Sequence, residues 1–169
     1  FWSLGLPSFR IADAANVTTF SDTLSTSEPS VAANHTITFS TPTGVANTET
    51  ITIDFTDGPF VDGSVDYTDI DVSIEGTGDI TLEATCTTQD ASAAFSGDIL
   101  TITLCAAGGQ SIGAGGTTTI EIGTNATSEL TGDQQMTNPT AGSHEITVSA
   151  GSGPDTGTTQ VAIVPTVNV

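Results

Sequence analysis

Apolar residues in this chain recur at every second position, in runs too short for helices, with threonine filling many of the places between. Ile51, Ile53 and Phe55 alternate with Thr50, Thr52 and Asp54, and Ala33, His35, Ile37 and Phe39 alternate with Thr36 and Thr38. A period of two puts successive side chains on opposite faces of a strand, so each run has one face for a core and one for water. The branched Cβ of Thr, Val and Ile fits a half-buried pleat. The same pattern recurs at Ile70, Val72 and Ile74; at Ile80, Leu82 and Ala84; at Leu100, Ile102 and Leu104; and at Thr118, Ile120 and Ile122. It returns at Ile146 and Val148, after a long polar loop at 123–142, and closes with Val161, Ile163, Val167 and Val169. Turn signals end the runs: Thr41-Pro42-Thr43-Gly44, Asp57-Gly58-Pro59, Gly76-Thr77-Gly78, Ser96-Gly97-Asp98 and Gly115-Gly116. About eight or nine short strands, each with one wet side, predict an all-β fold. The expected architecture is an immunoglobulin-like Greek-key β-sandwich over residues 16–169, with an extended N-terminal arm. No internal repeat points to a solenoid or propeller.

Residues 1–15 form that arm. Trp2, Leu4 and Leu6 alternate with Phe1, Ser3 and Gly5, while Gly5 and Pro7 oppose a helix. The arm reads as a candidate donor strand, with Phe1, Trp2, Leu4, Leu6, Phe9 and Ile11 as the expected subunit interface. An inserted strand makes ladder hydrogen bonds and places alternate side chains in a neighbour's core. Burying Trp2, Leu4, Leu6 and Phe9 is worth ~6–10 kcal/mol gross. A head-to-tail contact of this kind does not close on itself and propagates a helical homopolymer. The segment also reads as the tail of a secretory signal, with Ala12-Asp13-Ala14 as its small-residue cleavage site.

Charge removes several functions. There are 20 Asp+Glu against one Lys+Arg, which is Arg10, for a net charge of −19. A nucleic-acid partner or an anionic lipid surface needs cations that this chain lacks. Lysine chemistry is impossible. No stretch approaches the roughly 20 apolar residues that span a bilayer, so no membrane span is expected.

Several residues are candidates for chemistry. Cys86 and Cys105 are placed to close a loop by a disulfide in an oxidising compartment, with two free thiols as the other reading. Cys105 is out of phase with Leu100, Ile102 and Leu104, so a bridge needs a bulge or a position near a strand end. His35 and His144 are in phase with apolar neighbours and read as structural. Ser143 beside His144 would point to the opposite face, and no hydrolase, zinc or phosphate-loop motif is present, so no enzyme is expected. Asp57, Asp62, Asp66, Asp69 and Asp71 are candidate calcium ligands, because calcium takes 6–8 oxygens from carboxylates and carbonyls. Asp69 and Asp71 also read as the solvated face of a strand, and the D-x-D-x-D-G pattern is absent. No other cofactor is expected. Sequons at Asn16, Asn34 and Asn125 are candidate glycosylation sites, which would make glycans possible partners.

The Thr-rich, lysine-poor runs Ala33-Asn34-His35-Thr36-Ile37-Thr38-Phe39 and Gly116-Thr117-Thr118-Thr119-Ile120-Glu121-Ile122-Gly123 resemble secreted β-sandwich surface and filament proteins of small uncultured prokaryotes. So does Asn138-Pro139-Thr140-Ala141-Gly142 leading to Ile146 and Val148. The segment Trp2–Leu6 resembles the apolar arm of donor-strand pilins. Type IV pilins also begin with Phe, but Gly5 stands where they carry a glutamate and their long apolar helix is absent, which sets that family aside. The resemblance implies a non-enzymatic subunit of an extracellular filament or pilus. The other reading is a surface-layer or adhesin domain at the cell surface, acting as a binding module.

Overall fold

The computed structural model describes residues 14–128 and 130–165, and the arm residues Phe1, Trp2, Leu4, Leu6, Phe9 and Ile11 lie outside them, as do Val167 and Val169. The fold is all-β. Strands are numbered in chain order. β1 (Thr18–Leu24), β3 (His35–Thr41), β10 (Gly116–Ile122), β5 (Ile70–Ile74) and β6 (Gly78–Ile80) lie side by side in that order in a five-stranded sheet. A six-stranded sheet runs β13 (Asp155–Ile163), β12 (Gly142–Ala150), β4 (Thr50–Asp54), β9 (Ile99–Leu104), β8 (Ala91–Ser96) and β7 (Leu82–Glu83). The two-residue strands β2 (Ala32–Ala33) and β11 (Met136–Thr137) pair separately. All of these pairs are antiparallel except β7 with β8.

The two large sheets share one core, as a β-sandwich does. Ile37, Phe39, Ile120 and Ile122 of the first and Ile51, Ile53, Leu100, Ile102, Ile146 and Val148 of the second are all 0% exposed. These are the alternating residues of the sequence, and each large side chain contributes about 1.5–3 kcal/mol by leaving water. The thirteen strands of the described residues outnumber the expected eight or nine, because β1 and the Ala-rich β8 lack a row of large apolar residues, the run at Ile80–Ala84 is divided between β6 and β7, and β2 and β11 are only two residues long. Within the 123–142 segment, read as a polar loop, Ala126 and Met136 are fully buried.

The two sides of the sandwich are closed differently. On one side the chain crosses between the sheets at Thr81, whose N–H and hydroxyl both donate to Asp90 Oδ2, at 3.0 and 2.8 Å. On the other side β1 and β13 face each other. The Thr156 N–H donates to Ala15 O at 3.0 Å, and the Val17 N–H donates to Thr156 O at 2.9 Å. Gly157 has no side chain because Val17 packs on its Cα, where a Cβ would meet Val17 Cβ at 2.9 Å. The described chain therefore begins at one end of the sandwich, the proximal pole, with the 41–50, 104–116 and 150–155 turns. The distal pole carries the ends of β1, β10 and β13, the 55–66 segment and the 123–141 segment.

Cys86 and Cys105 form a disulfide with Cα atoms 5.3 Å apart. The phase conflict disappears because Cys105 follows the last residue of β9 and its N–H donates to Asp90 O at 2.7 Å. Closing a loop of this length stabilises by about 3 kcal/mol on the chain-entropy account. Reduction is expected to lower the melting temperature by ~6–12 °C, as 2–4 °C per kcal/mol holds for chains of this size. Calorimetry with and without reductant checks it.

Candidate assembly site

The two histidines are structural and together close the distal pole. Asp22 Oδ2 accepts from His35 Nδ1–H at 2.8 Å, and both side chains are sealed from solvent. The His35 ring packs edge-on to Phe60 and Phe55, with centroids 5.2 and 5.6 Å apart, and Phe60 packs against His144 at 6.1 Å. His144 Nε2–H donates to Thr140 O at 2.8 Å. Gly58, at φ +76°, is required here, because a side chain at that position would occupy the His144 ring. Ser143 donates instead to Gln160 Oε1 at 2.9 Å, on the other face of β12. The Asp22–His35 pair thus presents no nitrogen to a substrate.

Among the described residues no group of three or more His, Cys, Asp or Glu is placed to hold an ion. Of the aspartates read as calcium ligands, Asp57, Asp66 and Asp69 use their carboxylates as acceptors for backbone amides. Asp57 Oδ2 accepts the Glu145 N–H at 2.8 Å. The Asp62 carbonyl accepts the Val65 N–H in a turn. Asp66 and Asp69 form reciprocal caps on the single helical turn at Tyr67–Asp69. Nor are Asp69 and Asp71 a solvated face: they are 1% and 8% exposed. The 124–135 segment lies over the outer face of the five-stranded sheet, and these carboxylates hold it there. Asp69 Oδ1 accepts the Asp133 and Gln134 N–H groups at 2.7 and 2.9 Å, and Asp71 Oδ2 accepts the Ser128 N–H at 2.7 Å. Burial, with Asp71 and Asp79 nearby, raises the Glu121 carboxyl above its usual range.

Glu83 organises the disulfide loop. Its carboxylate accepts from the Thr87 hydroxyl and N–H and from the Thr88 and Gln89 amides, which lowers its pKa to about 2. A lowered carboxylate pKa adds stability that is complete above the ordinary value of 4.5 and is lost as pH falls through about 2. A carboxyl-carbon NMR titration is expected to place the Glu83 midpoint near 2, and a midpoint near 4.5 would contradict the cap.

The three sequons differ in geometry. Asn16 is exposed. Asn34 Nδ2 donates to Thr124 Oγ1 at 3.0 Å, while its Oδ1 accepts the Thr124 N–H at 2.9 Å. Asn125 Nδ2 donates to His35 O and to Thr36 Oγ1, each at 3.1 Å. A glycan on Asn34 or Asn125 would replace a donor that the fold uses.

Two surface features can receive another chain. The first is the seam between β1 and β13. Strand parity sends the backbone of Thr158, Gln160 and Ala162 toward β1, as it does that of Thr156 and of Val164, whose N–H donates to Ser27 O at 2.9 Å. Those three have no backbone partner across the seam among the described residues, and hollows of about 440 and 330 Å³ lie along it. The second is a groove of about 270 Å³ at the distal pole, lined by Ser30, Pro59, Val61, Thr137, Asn138, Pro139 and Thr140. Val61 pairs with Thr137 through two backbone hydrogen bonds at 3.1 and 2.9 Å, which extends the β2–β11 pair into a small third sheet. Sequence reasoning missed this groove. Its only signal was the apolar pair Phe60-Val61 set between Asp57-Gly58-Pro59 and Asp62-Gly63-Ser64.

No family model matches the chain, and no curated protein matches it. Among solved structures, the crystal structure of BslA, described as a bacterial hydrophobin, is similar with a TM-score of 0.48 and 12% identity, over 90% of this chain and 100% of that one. A likeness at that level carries no function across. Among the described residues no helix is long and apolar enough to cross a membrane.

Proposed function

We propose that the protein is a structural, non-enzymatic subunit of an extracellular filament or pilus. In this reading residues 16–169 form an immunoglobulin-like Greek-key body, and residues 1–11 join each copy to the next. The observation that carries it is the clamp of Ala15 and Val17 on Thr156. It fixes the chain at the rim of the sandwich, directly after the alternating apolar segment of the sequence. The net charge of −19 keeps free copies apart, so a stable polymer requires a non-ionic contact of the kind the arm offers. The disulfide fits an oxidising, extracellular compartment. Outward threonines on the central strands leave a polar surface without lysine. Electron microscopy of the purified chain, with and without residues 1–11, tests the reading.

A further inference from the structure

We infer that the groove at the distal pole is the docking site for residues 1–13 of a second copy, so that subunits join pole to pole. This rests on the filament reading above and names its acceptor.

Three observations carry it. The first is polarity. Among the described residues the exposed large apolar side chains are Val31, Val61, Leu130 and Val164, with Val61 54% and Val164 53% exposed. Val31, Val61 and Val164 belong to segments at the distal pole, while Leu130 lies beside Tyr67 and Ile80 on the covering 124–135 segment. Val31 is held beside the groove, where its carbonyl accepts the Asn138 N–H at 3.0 Å, and Val164 is held by Ser27.

The second observation is direction. The bonds between residues 15–17 and Thr156 set the incoming chain parallel to β13, so that, traced backward from Val17 to Ala14, it heads away from the distal pole. Strand β13 spans the body, about 27 Å at ~3.3–3.4 Å per residue. An arm docking on its own groove would have to reverse and cover that whole length. A copy stacked end to end presents its groove directly ahead, and thirteen residues reach at most ~45 Å.

The third observation is chemistry. Pro59, Val61 and Pro139 suit the alternating Trp2, Leu4 and Leu6. Exposed Asp57 and half-exposed Asp62 flank Pro59–Val61 in the sequence, the carbonyl of exposed Glu28 accepts from Asn138 Nδ2 at 3.0 Å, and Arg10 is the one cation in the chain. The floor is firm, because Phe60, between Pro59 and Val61, is fully buried against His35 and Phe55.

The seam is the weaker acceptor. Parts of β1 and β13 lie within 8 Å of each other, whereas a strand inserted between two others needs about 4.7–4.9 Å on each side.

The experiment places a photo-crosslinker in the full chain, Leu4→p-benzoylphenylalanine, in a mixture of unlabelled and 15N-labelled copies. Links are mapped by mass spectrometry. Expected are links between a light and a heavy copy, from position 4 to Pro59, Val61 or Pro139. In parallel, Val61→Asp in the full chain is expected to reduce the sedimentable fraction at least tenfold. Light-to-heavy links that fall on Asp22–Leu24 or Gln160–Ala162 overturn the groove and keep the filament reading. Links confined to single copies, or no links, overturn the groove as acceptor. Links to the groove between copies that form only closed dimers uphold the groove and overturn the filament.

Discussion

Removing residues 1–11 is expected to give a folded monomer that no longer sediments as polymer, with its melting temperature within a few degrees of the full chain. The hydrogen bonds that close the core run among residues 14–165, from the Ala15–Asp155 contact at 3.1 Å to the Val164–Ser27 bond at 2.9 Å. Assembly, by contrast, loses its main apolar contribution. Trp2, Leu4, Leu6 and Phe9 together are worth ~6–10 kcal/mol gross, and ordering an extended arm offsets part of that at roughly 1–2 kcal/mol per residue. Every 1.4 kcal/mol is about a tenfold change in dissociation constant, so Trp2→Ala and Leu4→Ala together should weaken each joint by ~10²–10⁴. Sedimentation and negative-stain images of the truncated chain decide the matter. Filaments of normal appearance without residues 1–11 would end the donor-arm reading.

Asp69→Ala is expected to be the most damaging single change outside the apolar core. It removes the acceptor for three amides, those of Asp66, Asp133 and Gln134, in a place that is 1% exposed. Each buried donor left without a partner costs about 1–3 kcal/mol, and local relaxation recovers some of it, so about 3–4 kcal/mol is expected. The 124–135 segment should loosen with it, because the Asp69 carboxylate and the Gly123 N–H, which donates to Asp69 O at 2.8 Å, tie its start and its end to the same residue. Asp69→Asn keeps one acceptor oxygen and should lose less. Denaturant titration and hydrogen exchange at Asp133 and Gln134 measure both effects, and a loss below 0.5 kcal/mol would mean that these bonds do not hold the segment.

How much of this was legible depended on what each residue's neighbours are. β3, β4, β9, β10 and the later half of β12 follow directly from alternation, because their inward positions are Ile, Phe, Leu and Val. β13 was legible only at Val161 and Ile163, since its earlier inward places are filled by Asp155, Gly157 and Thr159. Gly157 is small to admit Val17, and Asp155 bonds the Thr43 N–H and hydroxyl and the Ala15 N–H. Neither is an apolar signal. β1 was hidden because its inward row is Phe20, Asp22 and Leu24, and the aspartate makes sense only beside His35, thirteen residues away. The aspartates were misread for a related reason. Periodicity correctly put Asp71 on the face of β5 away from the core, but it cannot tell that a distant segment, 124–135, covers that face. The groove needed three remote pieces, 30–31, 59–61 and 137–140, to come together, and no local pattern announces that.

The clamp at the proximal pole has a mechanical consequence. Tension drawn through the arm, along the axis of β13, would meet the body first at Ala15 and Val17. Their backbone bonds to Thr156, and the Ala15 N–H bond to Asp155, cross the direction of pull, so they are loaded in shear and must rupture together rather than peel apart one by one. Asp155 also grips Thr43 on the turn after β3, which spreads the load into both sheets. A fibre made of such links would resist stretching at its joints and yield by lengthening only when an entire edge strand lets go.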